Sequence, residues 1–155
     1  KTASLFSAAC QVGAISASAS NTEINALKSF GTNFGMTFQL VDDAIDYSSN
    51  KKILGKNTGD DFKEGKITLP IILAYGRSNE KEKKFWKRTI SKLNQEEGDF
   101  DNALEIINKY QCIQDTITRA NHFSNVAIDS IDIFKNNIFK EKLAALVSTS
   151  ISRIY

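Results

Sequence analysis

Apolar side chains recur every three or four residues along most of this chain, which is the period of an amphipathic helix. The longest such stretch covers about residues 23–47. Its apolar positions are Ile24, Leu27, Phe30, Phe34, Phe38, Val41 and Ile45. No stretch alternates apolar and polar residues as a half-buried strand would. The pattern therefore predicts an all-α fold.

The same period and the positions of glycine and proline predict the remaining elements. A first helix over about residues 2–19 is rich in Ala, Ser and Gly, and Pro70 suits the first turn of a helix that continues to Tyr75. Further helices are predicted over about residues 80–94, 100–109, 113–134 and 137–154. The polar, glycine-bearing residues 48–65 and the acidic residues 95–101 are predicted loops.

Composition narrows the class of protein. The chain has 155 residues, 41% hydrophobic and 25% charged, which is typical of one soluble globular unit. A net charge of +2 is too small to indicate a nucleic-acid partner. Cys10 and Cys112 are far apart and lack neighbouring metal ligands, so we interpret them as buried apolar residues in a reducing compartment. No apolar run has the length of a membrane span, and a cytoplasmic location is predicted.

Three carboxylates lie within five positions of an otherwise apolar helical segment: Asp42, Asp43 and Asp46. At about 100° per residue they share one flank, and no Lys or Arg stands three or four residues away to compensate them. A hard divalent cation such as Mg²⁺ relieves this repulsion while also binding substrate phosphate oxygens. The alternative interpretation is a solvated acidic helix end.

Two lysines follow this segment in a glycine-punctuated stretch, Lys56 next to Gly55 and Lys66 next to Gly65. Ammonium groups and Mg²⁺ meet the same need, because a departing diphosphate carries several negative charges that must be neutralised. The alternative is an exposed loop whose lysines are solvated.

Four motifs occur in order: Lys-Thr at residues 1–2, Phe-Gln-x-x-Asp-Asp-x-x-Asp at 38–46, Gly-Lys-x-x-Gly-x-Asp at 55–61 and Gly-Lys-x-Thr-Leu-Pro at 65–70. Together they resemble the carboxyl-terminal half of polyprenyl diphosphate synthases of the octaprenyl type, in the trans-isoprenyl diphosphate synthase family. The resemblance implies a helical bundle of the isoprenoid synthase type, with residues 1–155 as the carboxyl-terminal part of a single domain. It also implies a homodimer when the protein is complete, and a first aspartate-rich motif upstream.

The resemblance assigns a role to each motif position. The three aspartates would hold Mg²⁺ against the allylic diphosphate, and two lysines would bind diphosphate oxygens. Asp61 would hold water or metal in the layer behind the direct metal ligands. It is a better candidate for this role than Asp60, which occupies a more variable position in the family. The residues expected to contact the allylic diphosphate near the carbon that becomes cationic are Lys1, Thr2 and Gln39.

The implied reaction is ionisation of an allylic prenyl diphosphate, attack by isopentenyl diphosphate and loss of a proton, giving a long-chain polyprenyl diphosphate for quinone side chains. The residues that set product length lie upstream in the family, so the length is not readable here. Alternatives are a non-catalytic all-α partner subunit, an inactive fragment, or a relative of the terpene cyclases. The basic residues between Lys81 and Lys92 are interrupted by Glu82, which favours a solvated helix and at most peripheral membrane contact.

Purified residues 1–155 alone are expected to show no prenyl transfer, because the family's first aspartate-rich motif and isopentenyl diphosphate pocket precede the Lys-Thr motif. A radiolabelled isopentenyl diphosphate incorporation assay with Mg²⁺ measures this, using a full-length relative as the positive control. Sustained turnover by this chain would contradict the expectation.

Overall fold

The computed structural model describes residues 1–48 and 59–153, and in these ranges the chain is helical and contains no strand. This confirms the predicted all-α fold. The helices are α1 (Thr2–Ser16), α2 (Asn21–Asp46), α3 (Asp60–Lys63), α4 (Leu69–Arg77), α5 (Glu80–Trp86) followed by a π-helical turn (Lys87–Ser91), α6 (Asp99–Lys109), α7 (Cys112–Ser130) and α8 (Ile138–Ser152).

Some helix ends differ from the sequence prediction by two to four residues: α1 ends at Ser16 rather than near 19, α4 at Arg77 rather than 75, and α7 at Ser130 rather than near 134. Two further features differ in kind. The predicted loop over residues 48–65 contains the four-residue helix α3, which follows Gly59 in the left-handed conformation with φ of 85°; residues 49–58 of that loop lie outside the described part of the chain. The helix predicted to run to residue 94 widens into a π-helical turn after Trp86. Both features are too short to change the hydrophobic period, so the pattern could not reveal them.

The chain divides into two compact units, the first formed by Lys1–Val41 and the chain from Thr118 onward, the second by Asp42–Ile117. The core of the first unit contains Phe30 and Phe34 from α2 together with Ile131 and Val147. The ring of Phe6 in α1 packs edge-on against Phe34, with centroids 5.0 Å apart.

Helices α1 and α2 cross at two glycines of α2. A Cβ added to Gly35 would lie 2.6 Å from the Cα of Ala3, and one added to Gly31 would lie 2.6 Å from the carbonyl oxygen of Phe6. Both distances are far below van der Waals contact, so the two backbones touch only because no side chain stands between them. This crossing fixes the position of the first turn of α1 on α2.

The second unit has its own core, in which Trp86 is 2% exposed and Phe62 of α3 is 2% exposed. The Trp86 indole donates a hydrogen bond of 3.1 Å to Ser78 Oγ. Arg88 in the π-helical turn donates two hydrogen bonds to the carboxylate of Asp99, at 2.8 and 2.7 Å. Arg88, which belongs to the basic stretch between Lys81 and Lys92, therefore links the π-helical turn to the start of α6.

We expect Gly35→Ala to lower the free energy of unfolding by about 1–3 kcal/mol, because the added methyl group must push α1 away from α2. Urea denaturation followed by circular dichroism measures the change. Gly13→Ala in α1 is the matched control, since a Cβ there meets nothing within 4 Å. The control should raise stability by up to about 1 kcal/mol through helix propensity. Equal effects of the two substitutions would contradict the close crossing.

Candidate functional site

The first turn of α1 and the seventh residue before the end of α2 are joined by a side-chain hydrogen bond. The Thr2 hydroxyl donates to Gln39 Oε1 at 2.8 Å, and both side chains are half-buried. The sequence predicted both residues for the same site, and the structure brings them together. Lys1, predicted with them, is exposed at the start of α1.

The last turns of α2 carry the predicted carboxylates. Asp43 is 6% exposed, while Asp42 and Asp46 are half-buried. Removing a carboxylate from water is costly unless charges or hydrogen bonds compensate it. Asp43 is therefore withdrawn from solvent, whereas Asp42 and Asp46 keep part of their surface in water.

The chain that follows binds back onto the end of α2 through its backbone. The Gly59 amide donates to the Asp46 carbonyl at 3.1 Å, and the Asp61 amide donates to Asp46 Oδ2 at 3.1 Å. Two main-chain donors thus hold both the backbone and the side chain of Asp46. Helix α3 is placed at the carboxylate cluster by these two bonds.

Helix α3 is braced from its other side as well. Phe62 packs against Phe100, with ring centroids 5.6 Å apart. The Gln95 amide donates to the Phe62 carbonyl at 2.8 Å and to the Thr89 carbonyl at 3.0 Å. A four-residue helix has little stability of its own, so these contacts fix it.

Lys66 lies beside this cluster. Its Nζ donates to Asp61 Oδ1 at 2.9 Å, with the lysine side chain 45% exposed and the aspartate 15% exposed. This hydrogen bond raises the pKa of Lys66, and the negative charges of Asp61, Asp43 and Asp42 raise it further. The structure therefore places the ammonium group within the electrostatic field of the carboxylates. Asp60 instead pairs with Lys63 at 3.2 Å on the exposed side of α3.

The carboxyl of Asp46 has a raised pKa. Burial is the largest cause, and the charges of Asp61 and Asp60 add to it, while the backbone hydrogen bonds from those two residues oppose the shift. Burial and the neighbouring negative charges thus disfavour the ionised form of Asp46. A bound cation at this point would relieve the repulsion.

The donor set fits a hard divalent cation that takes several of its ligands from elsewhere. Within residues 1–48 and 59–153, no group of three His, Cys, Asp or Glu side chains converges as a ready metal cage. Mg²⁺ ordinarily takes one or two carboxylates and completes its octahedron with water and phosphate oxygens. The carboxylate oxygens at the end of α2 match that requirement. They do not match a zinc site, in which the protein itself supplies three or four ligands.

Sequence reasoning missed a pair of buried hydroxyls near the acidic cluster. Neither Tyr47 Oη nor Thr68 Oγ1 has a hydrogen-bond partner in the described structure. Burial raises the pKa of Tyr47, and Thr68 lies close enough to lower it in part, although the two oxygens lack hydrogen-bond geometry. The sequence could have indicated these two residues by position alone, because Tyr47 directly follows Asp46 and Thr68 belongs to the Thr-Leu-Pro motif. Lys56, the other predicted diphosphate ligand, lies outside the described residues.

Comparison with known proteins defines the class. A decaprenyl diphosphate synthase from Rhodobacter capsulatus superimposes with a TM-score of 0.93 at 36% identity, covering 100% of this chain and 48% of that chain. The fold is therefore that of the all-α isoprenoid synthases. The model of the polyprenyl synthetase family matches residues 1–107, and the chain belongs to this family.

Other relatives agree. Octaprenyl diphosphate synthase from Haemophilus influenzae is 36% identical over 155 residues, which is 100% of this chain and 47% of that protein. A polyprenyl synthase from Caulobacter crescentus, solved with calcium and isoprenyl diphosphate, superimposes with a TM-score of 0.90 at 41% identity and covers 100% of this chain and 47% of that chain.

The chain spans about half the length of the curated relatives it matches. Those relatives are prenyl diphosphate synthases of several product lengths, including a geranylgeranyl diphosphate synthase from Sulfolobus acidocaldarius at 33% identity. None of the helices in the described part of the chain combines the length and hydrophobicity needed to cross a bilayer.

We expect Asp46→Asn to raise the free energy of unfolding at neutral pH in EDTA, because the amide still accepts the Asp61 hydrogen bond but carries no charge. In the wild type the raised folded pKa of Asp46 contributes stability that is complete below the unfolded pKa and is lost as pH rises through the folded value. The advantage of the variant should therefore fade on acidification. Urea denaturation between pH 3 and 8 measures it, with the exposed Asp129→Asn as control; equal pH profiles for the two variants would contradict it.

Proposed function

We propose that this chain provides the carboxylate and lysine part of a prenyltransferase that elongates an allylic prenyl diphosphate with isopentenyl diphosphate. The observation that carries the proposal is the arrangement around Asp61, whose amide binds the Asp46 carboxylate and whose own carboxylate binds Lys66. Asp61 thereby holds a carboxylate, which could bind a cation, beside an ammonium group, which could bind phosphate oxygens. A diphosphate bridged by a divalent cation needs both.

The carboxylates of Asp42, Asp43 and Asp46 would hold Mg²⁺, which supplies charge neutralisation to the diphosphate when it is bound. Lys66, and Lys56 with it, would bind diphosphate oxygens. Lys66 is suited to this because its ammonium group lies beside the carboxylates, where it donates to Asp61 Oδ1 at 2.9 Å. Its partner Asp61 is available to bind water or metal when the ammonium turns to the substrate.

The reaction breaks the C–O bond between the allylic carbon and the diphosphate, which leaves with the electron pair. The double bond of isopentenyl diphosphate then forms the new C–C bond, and a proton is lost to restore an alkene. Thr2 and Gln39 would contact the allylic group, together with Lys1. Because the Thr2 hydroxyl donates to Gln39, the amide carbonyl is already oriented, and a fixed dipole stabilises a nearby cation better than a mobile one.

The family supports further expectations for the complete protein. These are a long-chain polyprenyl product destined for quinone side chains, a homodimer, and a cytoplasmic location. The Caulobacter crescentus structure with calcium and isoprenyl diphosphate supports the choice of a divalent cation and a prenyl diphosphate as ligands.

The second candidate is a non-catalytic all-α partner subunit. The observation that favours it is that the chain matches only about half of its relatives' length. Against it stands the retention of a buried Asp43 and of the Asp61–Lys66 pair, which a purely structural subunit has no need to keep.

We expect the chain to bind geranyl diphosphate in a Mg²⁺-dependent manner, and Asp43→Asn to weaken the Mg²⁺-dependent part of binding by roughly tenfold or more, or about 1.4 kcal/mol. The reason is that the buried carboxylate is replaced by a neutral group of the same shape. Isothermal titration calorimetry with and without EDTA measures the affinities. Asp129→Asn removes an exposed carboxylate of α7 and is the matched control. Binding that is indifferent both to Mg²⁺ and to Asp43→Asn would refute the proposed site.

A further inference from the structure

The connection between the π-helical turn and α6 lies against the motif that contains Lys66. A Cβ added to Gly65 would overlap Leu93 Cδ2 and would lie 3.0 Å from the carbonyl oxygen of Ile90. Gly65 also has a φ of 67°, which side chains other than hydrogen rarely allow. The backbone next to Lys66 is therefore in direct contact with the π-helical turn and with the residue that follows it by two positions.

Gln95 makes a second link between the same two parts of the chain. Its side-chain amide donates to the Phe62 carbonyl at 2.8 Å and to the Thr89 carbonyl at 3.0 Å. One acceptor belongs to α3, directly after Asp61, and the other belongs to the π-helical turn. A single side chain thus joins the two backbones at a fixed spacing.

The backbone of this connection departs from regular geometry at two places. In the π-helical turn the Lys92 amide donates to the Lys87 carbonyl at 3.1 Å, five residues back rather than four. Leu93 has a φ of 51°, and because it is 57% exposed, burial of its side chain does not account for that conformation. Such departures are concentrated at functional sites. Here both lie against Gly65.

Arg88 holds the connection in place from its other side. Its guanidinium donates to the Asn94 carbonyl at 2.9 Å, and the Asn94 amide donates to the Arg88 carbonyl at 3.0 Å. Further along, the Glu96 amide donates to the Asp99 carboxylate at 2.7 Å. A segment that is bound at both ends can impose its own position on the residues it contacts.

We propose that Gln95 and Leu93 are positioning residues of the diphosphate site. Gln95 sets the position of Asp61 through α3, and Leu93 sets the position of Lys66 through its contact with the preceding glycine. Neither side chain needs to touch the substrate. The inference rests on the proposed function for the identity of the ligand, a prenyl diphosphate with a divalent cation, whereas the placement of the two site residues can be measured without a ligand.

Amide hydrogen exchange of the folded chain, followed by NMR, measures that placement. The reporters are the Asp61 amide, which donates to Asp46 Oδ2 at 3.1 Å, and the Lys66 amide, which donates to the Asp61 carbonyl at 2.9 Å. The amide of Ile107, a buried residue of α6 in the same unit, is the reference, because its exchange reports on unfolding of the unit as a whole.

Gln95→Met keeps a side chain of similar length but removes both hydrogen bonds, and Leu93→Gly removes the contact with Gly65 while relieving the strained φ. We expect exchange to become roughly tenfold faster at Asp61 in the first variant and at Lys66 in the second, relative to the reference amide. The matched controls are Gln11→Met in the first unit and Gln111→Gly, which relieves a φ of 54° at the end of α6. Both should exchange like the wild type at the two reporters.

Calorimetric titration with geranyl diphosphate and Mg²⁺ connects the placement to binding. We expect Gln95→Met and Leu93→Gly to weaken the Mg²⁺-dependent affinity by roughly tenfold, as substitutions behind a metal site commonly do. Thermal unfolding checks that each variant is folded.

The proposal is overturned if both reporters exchange as in the wild type, or if they change only in step with the reference amide, since the two residues would then act on stability alone. It is equally overturned if the wild type binds geranyl diphosphate and both variants bind it as tightly. A wild type that binds none contradicts the proposed function instead, and the exchange rates still decide whether Gln95 and Leu93 place Asp61 and Lys66.

Discussion

The concentration of negative charge at the end of α2 is the constraint around which the second unit is arranged. Carboxylates repel one another, and burial of Asp43 and Asp46 strengthens the repulsion by excluding water. The fold nevertheless holds them in place, using the amides of Gly59 and Asp61 on Asp46 and the Lys66 ammonium on Asp61. The described hydrogen bonds therefore hold the acidic end of α2 in position.

The helices could be predicted from the sequence because burial of one helix face makes apolar residues recur every three or four positions. Helix α2 shows this best, since Phe30, Phe34 and Val41 are all buried as the spacing predicts. The short helix α3 and the π-helical turn were not accessible, because their positions depend on contacts with distant residues such as Gln95 and Asp99. Periodicity carries no information about such contacts.

The candidate site divides in the same way. The motif residues Thr2 and Gln39 were predicted together and are hydrogen bonded. What the sequence could not supply was the environment of Asp46. Its raised pKa depends first on a degree of burial that only the folded chain defines, and then on the charge of Asp61, which is 15 residues further along the chain. Chemistry of residue types predicts which groups participate, whereas distances decide how each is perturbed.

Asp61 acts on its two partners through different parts of the residue. It binds Asp46 through its main-chain amide, which any amino acid except proline retains, and it binds Lys66 through its side chain, which a single codon change removes. A substitution at position 61 can therefore change the environment of Lys66 while the main-chain hydrogen bond to Asp46 stays in place. The two interactions can change independently, although one residue makes both.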